Sequence, residues 1–498
     1  MILNEILNGI ERKKIHGDVG LEISGIALDS QKVGRGYLFA ALRGEKQDGH
    51  SYIKQALERG AAALLLERVT DDVLPQGVTV IEVEDSRVAL AGVAANFYGR
   101  PARSLTMVGI TGTNGKTTIT YLLESIWKEG NKNPGVIGTI DYRFSGRRTE
   151  APMTTPESVE IMRLLGEMRD AGVDRVAMEV SSHAIDKERI LGCEFDAAVF
   201  TNLTQDHLDY HGSMENYRDV KKRLFTELLR DSSKERKYSI INIDDPAGAQ
   251  IADEAVGEVI TYSIDNPSAD VYAFDHSVTG SGISADINTP WGRLEVSSRL
   301  FGEHNLSNIL AAATAALATG STLNEVEDGL ARFSVVPGRL ERVENPCGFE
   351  VLVDYAHTPD ALKNVLTAIR PLTKGRLVLV FGCGGDRDRA KRPIMGRIGM
   401  ELSDVLIITS DNPRTESPER ILDDVERGVK EAAGPDGKAY SRIEDRRAAI
   451  KEAVGVARPG DTVLIAGKGH EDYQIIGTVK HPFDDRKVAA EAIREKSN

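Results

Sequence analysis

The run Gly109-Ile110-Thr111-Gly112-Thr113-Asn114-Gly115-Lys116-Thr117-Thr118 holds the residue types needed to grip a polyphosphate. Backbone N–H groups of a Gly-rich turn converge on one point, and a helix N-terminus adds a dipole that favours anions. Lys116 can then reach the outer phosphates of a nucleotide, and the Thr117 hydroxyl can hold Mg²⁺. Position 110, where the standard phosphate-loop pattern has its first Gly, is Ile, so the turn is a variant of that pattern.

Other polar clusters follow apolar runs. Glu179-Val180-Ser181-Ser182-His183 offers a carboxylate that could hold Mg²⁺ directly or through water. Asn202 to His211 packs Asp206, His207, Asp209 and His211 together, which suits metal or phosphate chemistry; no thiolate joins them, so zinc is not indicated. Asp354-Tyr355-Ala356-His357-Thr358-Pro359-Asp360 could contact a ribose and phosphates, or be a solvated turn. Gly382-Cys383-Gly384-Gly385-Asp386-Arg387-Asp388, Asp411-Asn412-Pro413-Arg414 and Gly467-Lys468-Gly469-His470-Glu471 all end apolar runs. Each alone is a polar loop; together they point to a small-molecule site in a crevice at the strand ends.

The elements that must position these groups are strands alternating with helices. Short strands are expected at Ile23–Leu28, Tyr37–Leu42, Ala61–Leu66 and Val78–Val83. Gly99-Arg100-Pro101 then makes a plausible linker. Leu105–Ile110, Val136–Ile140, Arg175–Val180 and Ala197–Thr201 predict a mostly parallel, doubly wound sheet, with an amphipathic helix after the phosphate turn ending near Gly130. A second break falls near Val336-Pro337-Gly338-Arg339. Strands at Val351–Asp354, Leu377–Phe381, Val405–Thr409 and Thr462–Ala466 then form another α/β unit. The expected domains are residues 1–100, 101–336 and 337–498 of an α/β protein.

Composition narrows the class. A chain of 498 residues is too long for one core. A formal net charge of −14 argues against a general nucleic-acid or membrane binder. Cys193, Cys347 and Cys383 are odd in number and far apart, as free thiols in a reducing cytosol would be. The N-terminus lacks a basic leader, and the Ala-rich run from Asn308 to Gly320 is too short to span a bilayer.

The set Gly-Thr-Asn-Gly-Lys-Thr-Thr, Thr154-Thr155-Pro156, Glu-Val-Ser-Ser-His, Asp-His-Leu-Asp, Asp-Tyr-Ala-His-Thr-Pro and Asp-Asn-Pro-Arg resembles the Mur ligase family, in order and spacing from about Leu28 to Glu471. The resemblance implies three domains: one gripping a UDP-sugar, a central P-loop ATPase and a Rossmann-like C-terminal domain taking an amino acid. It implies ATP and Mg²⁺ as cofactors, with UDP-N-acetylmuramoyl-L-alanyl-D-glutamate and meso-2,6-diaminopimelate as substrates in peptidoglycan synthesis. A cytoplasmic monomer is expected.

By the same resemblance, Leu28 and Ser30 face the uridine nucleotide, and Gly112, Thr113, Asn114, Gly115, Lys116, Thr117 and Thr118 cradle ATP. Thr154, Thr155, Ser181 and Arg189 hold the muramoyl-dipeptide, with Lys187 standing where relatives often carry Gln. Glu179 and His207 serve the metal beside Thr117. Asn305, Arg339, Asp354 and His357 line the nucleotide from the far side. Arg387, Asp411, Asn412, Pro413, Arg414, Gly467 and Glu471 meet diaminopimelate. Lys221 is the family's position for a carbamylated lysine that can hold a second Mg²⁺. The Glu45-Lys46-Gln47 loop departs from a common His-containing version. An L-lysine-adding relative and a folylpolyglutamate synthase are the alternatives, the latter needing a pterin site. A P-loop switch protein would need a guanine-selecting Asn-Lys-x-Asp, and Asn131-Lys132-Asn133-Pro134 lacks the Asp.

Overall fold

A computed structural model describes residues 1–44, 47–68, 77–279, 282–433 and 439–497. Glu45 and Lys46 lie outside that set, so the structure does not describe their loop. The chain forms three units, each built on its own sheet. In the first, strands Gly25–Ala27, Tyr37–Ala40, Ala61–Leu66 and Thr79–Val83 run parallel, and Lys13–His16 closes the edge antiparallel. Helix Ser86–Phe97 covers this sheet, capped by Asp85, which accepts from the amides of Arg87 and Val88.

The central unit carries an eleven-stranded sheet. Its middle is parallel, as the alternating pattern predicts: Thr106–Thr111 lies between Arg175–Glu179 and Ala197–Phe200, so three polar strand ends emerge side by side. These strands are fully buried, which is why they read as unbroken apolar runs. Helices Lys116–Glu129 and Glu303–Ala318 pack on one face through Ile119, Leu122, Leu123, Ile126, Ile309 and Leu310. Both edges of the sheet are antiparallel additions that the sequence reading missed. Asp141–Phe144 and Arg147–Glu150 extend one side, and Val271–Thr279, Gly282–Thr289 and Gly292–Ser298 the other. Arg147–Glu150 is wholly exposed, the strands from Val271 on mix buried with exposed residues, and Asp141–Phe144 is buried but carries Asp141 and Arg143, so none has the dense apolar signature of the middle.

The third unit is a six-stranded sheet in which Glu350–Asp354, Thr462–Ala466, Leu377–Phe381 and Val405–Ile408 are adjacent and parallel. Their carboxyl ends, and the loops after them, face the phosphate turn of the central unit. A small hairpin, Tyr473–Ile476 with Val479–Pro482, follows the last of these loops. All three cysteines are free.

Candidate active site

The phosphate turn depends on two glycines. Gly112 and Gly115 adopt φ of +140° and +90°, a region costly for residues with a Cβ. A Cβ on Gly112 would stand 1.8 Å from Thr201 Oγ1, and one on Gly115 2.3 Å from Asn308 Oδ1. Asn202 fastens the turn: its carbonyl accepts from Thr113 N at 2.8 Å and its Oδ1 from Asn114 N at 2.9 Å. Helix Lys116–Glu129 starts with no side-chain cap, so its first amides face the turn's mouth.

Two lysines share this turn. Lys116 Nζ donates to the carbonyls of Gly112 at 2.9 Å and Thr113 at 2.8 Å, while Lys221 Nζ also donates to Gly112 O at 2.9 Å. Neither makes an ion pair among the described residues. Burial lowers the pKa of both; for Lys221, only 1% exposed, the neighbouring Lys116 deepens the effect. A half-buried and a buried amine converging on one carbonyl mark a place suited to negative charge.

Glu179, at the end of Arg175–Glu179, accepts from Thr117 Oγ1 at 3.1 Å and from Thr139 Oγ1 and Thr139 N, both at 2.8 Å. Beside it, Thr155 Oγ1 donates to Glu179 O at 2.8 Å and accepts from Ser181 N at 3.0 Å. Thr154 Oγ1 lies 3.1 Å from Thr139 Oγ1. Arg189 pairs with Glu157 at 2.7 Å, yet its buried Nε has no hydrogen-bond partner among the described residues.

Asp206 sits beside Lys391 and two imidazoles. Lys391 Nζ is 3.4 Å from Oδ1 and His207 Nε2 is 3.3 Å from Oδ2. Burial pushes the Asp206 carboxyl up, but Lys391, His207 and His357 outweigh it and hold it below the usual range. Burial pushes the His207 imidazole down to about 3 and that of His357 to about 4, so both are neutral near pH 7. His357 Nδ1 is fixed 2.8 Å from Tyr355 O.

Arg339, at the start of the third unit, reaches back to Thr117 Oγ1 at 3.4 Å and lies over the Tyr355 ring. Asp354 accepts Leu340 N at 2.7 Å and Ala356 N at 2.8 Å, one on each oxygen, which locks the turn carrying Arg339. Asn305 Nδ2 donates to Phe301 O at 2.9 Å.

The third unit supplies the far wall. Arg414, at φ +53°, donates through Nη1 to Gly385 O at 2.8 Å and has no carboxylate partner among the described residues. Burial, then Arg387, lowers its pKa. Asn412 Nδ2 donates to Glu471 Oε2 at 2.9 Å. The buried Asp411 Oδ1 accepts no hydrogen bond among the described residues; Lys468 Nζ stands 3.5 Å away.

One cavity of about 820 Å³ joins these groups. Lys116, Thr117, Glu179, His207, Lys221, His357 and Arg339 line it from one side. Arg387, Asp411, Asn412, Arg414, Gly467 and Glu471 line the other, with Thr154, Thr155, Ser181 and Arg189 along its flank. Seven expected site residues lie outside this lining: Leu28, Ser30, Thr118, Lys187, Asn305, Asp354 and Pro413. Leu28 and Ser30 belong to the first unit, where Ser30 Oγ donates to Gln55 at 2.7 Å, and Lys187 caps helix Ser182–Asp186 over the Tyr210 ring. Sequence reasoning did not single out Thr139, Tyr217, Lys391 or Lys468.

Models of the Mur ligase middle domain, the Mur ligase glutamate ligase domain and the Mur ligase catalytic domain match residues 110–316, 338–469 and 22–98. The chain belongs to the Mur ligase family. Among its relatives is the UDP-N-acetylmuramoyl-L-alanyl-D-glutamate–2,6-diaminopimelate ligase of Geobacter metallireducens, 48% identical with 100% of this chain and 99% of that one covered. The protein of the same name from Geobacillus thermodenitrificans is 44% identical over the full length of both. A solved structure of a ligase so named is 33% identical, with a TM-score of 0.69 over 100% of this chain and 99% of that one.

Proposed function

We propose that this Mur ligase joins meso-2,6-diaminopimelate to UDP-N-acetylmuramoyl-L-alanyl-D-glutamate at the expense of ATP, in the cytoplasm and as a monomer. One observation carries the reading: a single cavity has a phosphate turn with half-buried Lys116 and buried Lys221 at one end and, at the other, Arg414, which has no carboxylate partner among the described residues, near Asp411 and Glu471. The first suits a nucleotide. The second suits an amino-acid end bearing both a carboxylate and an ammonium group.

The γ-phosphoryl group of ATP passes to the D-glutamate carboxylate, giving an acyl phosphate and ADP. The neutral amine of diaminopimelate attacks the acyl carbon, loses a proton, and expels phosphate as the amide forms. Phosphoryl transfer demands placement and charge neutralisation more than covalent help. Lys116, on the turn, and Arg339, at Thr117 Oγ1, supply cations, and the Gly112–Thr118 turn offers its amides. Thr154, Thr155, Ser181 and Arg189 are assigned to the dipeptide, and Asn305, Asp354 and His357 to the nucleotide's outer face. Leu28 and Ser30 are assigned to the uridine end, remote from the chemistry, with Lys187 as an outer contact.

The donor set suits Mg²⁺. A hydroxyl, Thr117 Oγ1, stands 3.1 Å from a carboxylate oxygen of Glu179, and such ions keep waters and phosphates as most of their ligands. Thr117, Glu179 and His207 would hold one ion, and Lys221, once carbamylated, would hold a second; bound there they would neutralise phosphate charge. Lys221 fits that modification: CO₂ adds only to an unprotonated amine, and burial, with Lys116 beside it, shifts this one toward its neutral form.

The test is product identity. Purified protein given ATP, Mg²⁺, UDP-N-acetylmuramoyl-L-alanyl-D-glutamate and diaminopimelate should release ADP and phosphate in equal amounts and form the UDP-tripeptide by mass spectrometry. Absence of that product, with the protein folded, refutes the proposal.

A further inference from the structure

The amino-acid wall of the cavity contains a cation that touches no solvent. Lys468 is fully buried. Its Nζ donates to Asn412 Oδ1 and Glu471 Oε2, both at 3.1 Å, and stands 3.5 Å from Asp411 Oδ1. The Tyr473 ring lies on its other side, 5.5 Å away. The turn holding it cannot drift: Gly467 and Gly469 have φ of +117° and +53°. A Cβ on Gly469 would stand 2.6 Å from Gly338 O and 2.7 Å from Tyr355 Cβ. Lys468 therefore ties the loop after Val405–Ile408 to the loop after Thr462–Ala466, and it does so through the groups that face the ligand.

We propose that Lys468 is a specificity-determining positioning residue, which holds Asp411, Asn412 and Glu471 as one wall while cancelling one of that wall's two negative charges. The inference rests on the function proposed above. The far end of meso-diaminopimelate is an ammonium beside a carboxylate, with no net charge; the far end of L-lysine is an ammonium alone. Two uncompensated buried carboxylates would favour the cationic end. With one of them neutralised, the wall still accepts an ammonium through Asp411, whose Oδ1 has no hydrogen bond among the described residues, and Arg414 retains its preference for the carboxylate. Burial, and then Asp411, raise the Glu471 carboxyl, and Lys468 offsets part of that rise, in keeping with the same pairing.

The reading predicts a charge effect that a purely structural role would not produce. In Lys468→Met, the ratio of kcat/KM for diaminopimelate to that for L-lysine should fall at least about tenfold, since one charge within a few ångströms is removed at low dielectric. The KM values for ATP and for the UDP-dipeptide should stay within about threefold of the unmutated enzyme, because these ligands contact other walls. Adding Glu471→Gln to that variant restores the charge sum and should recover the ratio in large part. If Lys468→Met does not fold, Glu471→Gln alone remains decisive: it adds one net positive charge and should raise the ratio above that of the unmutated enzyme. A ratio unchanged in both single variants overturns the inference, as does failure of the double variant to recover it. If the unmutated enzyme forms no UDP-tripeptide, the proposed function fails instead, and the two failures are distinct.

Discussion

Lys391 Nζ of the third unit lies 3.4 Å from Asp206 Oδ1 of the central unit, and both side chains are buried. Gln205 Nε2 donates to Asp388 Oδ2 at 3.3 Å beside it. A second bridge, Asn114 Nδ2 to Asp360 Oδ2 at 3.0 Å, links the phosphate turn itself to the third unit. Residues on the phosphate side and on the amino-acid side are thus held in register by polar contacts across a domain boundary. Docking of this kind assembles a site and excludes water from it.

Lys391→Met should leave Asp206 buried beside His207 without its cation, disturbing the geometry around the phosphate turn. A displacement of about 1 Å there can cost on the order of 10²-fold in rate. We expect kcat to fall by about that factor while thermal stability of the protein changes little, and Lys391→Arg to retain more activity than Lys391→Met. Steady-state kinetics of the two variants decide it; equal activity of Lys391→Met and the unmutated enzyme contradicts the role.

Lys116→Ala removes one of two cations at the phosphate turn. Loss of a pre-placed charge where negative charge develops removes about 10²–10³ in rate. ADP production under saturating substrates should drop accordingly, with the circular dichroism spectrum preserved. Near-normal turnover would remove Lys116 from the mechanism.

Lys221 is expected to be carbamylated. Intact-mass analysis loses so labile a group, so the check is a high-resolution electron-density map or a ¹³C resonance after incubation with labelled bicarbonate. Activity should fall in acidic, CO₂-free buffer and return with bicarbonate. A bare ammonium at Lys221 in a clear map counts against the claim; carbamate at the half-buried neighbour Lys222 instead would count against the register.

Much of the site is legible in the sequence because its pieces follow buried parallel strands, and each such strand is a dense apolar run ending in a polar cluster. Thr106–Thr111, Arg175–Glu179, Leu377–Phe381 and Thr462–Ala466 all read this way. Lys391 and Lys468 did not stand out, for a different reason in each case. Lys391 lies within Arg387-Asp388-Arg389-Ala390-Lys391-Arg392, a charged run that looks solvated until the fold sets it against Asp206, 185 positions away. Lys468 sits in a motif whose Gly and Glu drew the chemical reading; only burial shows that its charge is internal to the wall. The outer strand Arg147–Glu150 was missed because it is wholly exposed, and Gly292–Ser298 because only Leu294 and Val296 on one face are apolar and buried.

Acid should loosen the fold in a defined window. Burial pushes His304 and His357 down to about 4 and His470 to about 3, whereas an unfolded His titrates near about 6.5. Between these values the unfolded chain binds more protons, so stability falls as pH drops from about 6.5 toward about 4. Calorimetry across that range should show Tm declining, and His304→Gln should make the decline shallower. A Tm independent of pH in this window would be inconsistent with neutral buried imidazoles.

Arg414→Ala should raise the KM for diaminopimelate far more than that for ATP, because Arg414 has no carboxylate partner among the described residues and lies on the wall opposite the phosphate turn. A uniform rise in both KM values would mean that Arg414 only braces the Gly385 loop.

The central claim, that this enzyme adds diaminopimelate, is tested most directly by phosphate release with ATP and UDP-N-acetylmuramoyl-L-alanyl-D-glutamate against meso-diaminopimelate and L-lysine in parallel. L-lysine would bury Arg414 with no anion, and a site left with an unpaired polar group discriminates by about 10⁴-fold or more. The account predicts kcat/KM for meso-diaminopimelate higher than that for L-lysine by on the order of that factor. Comparable values for the two amino acids would contradict it.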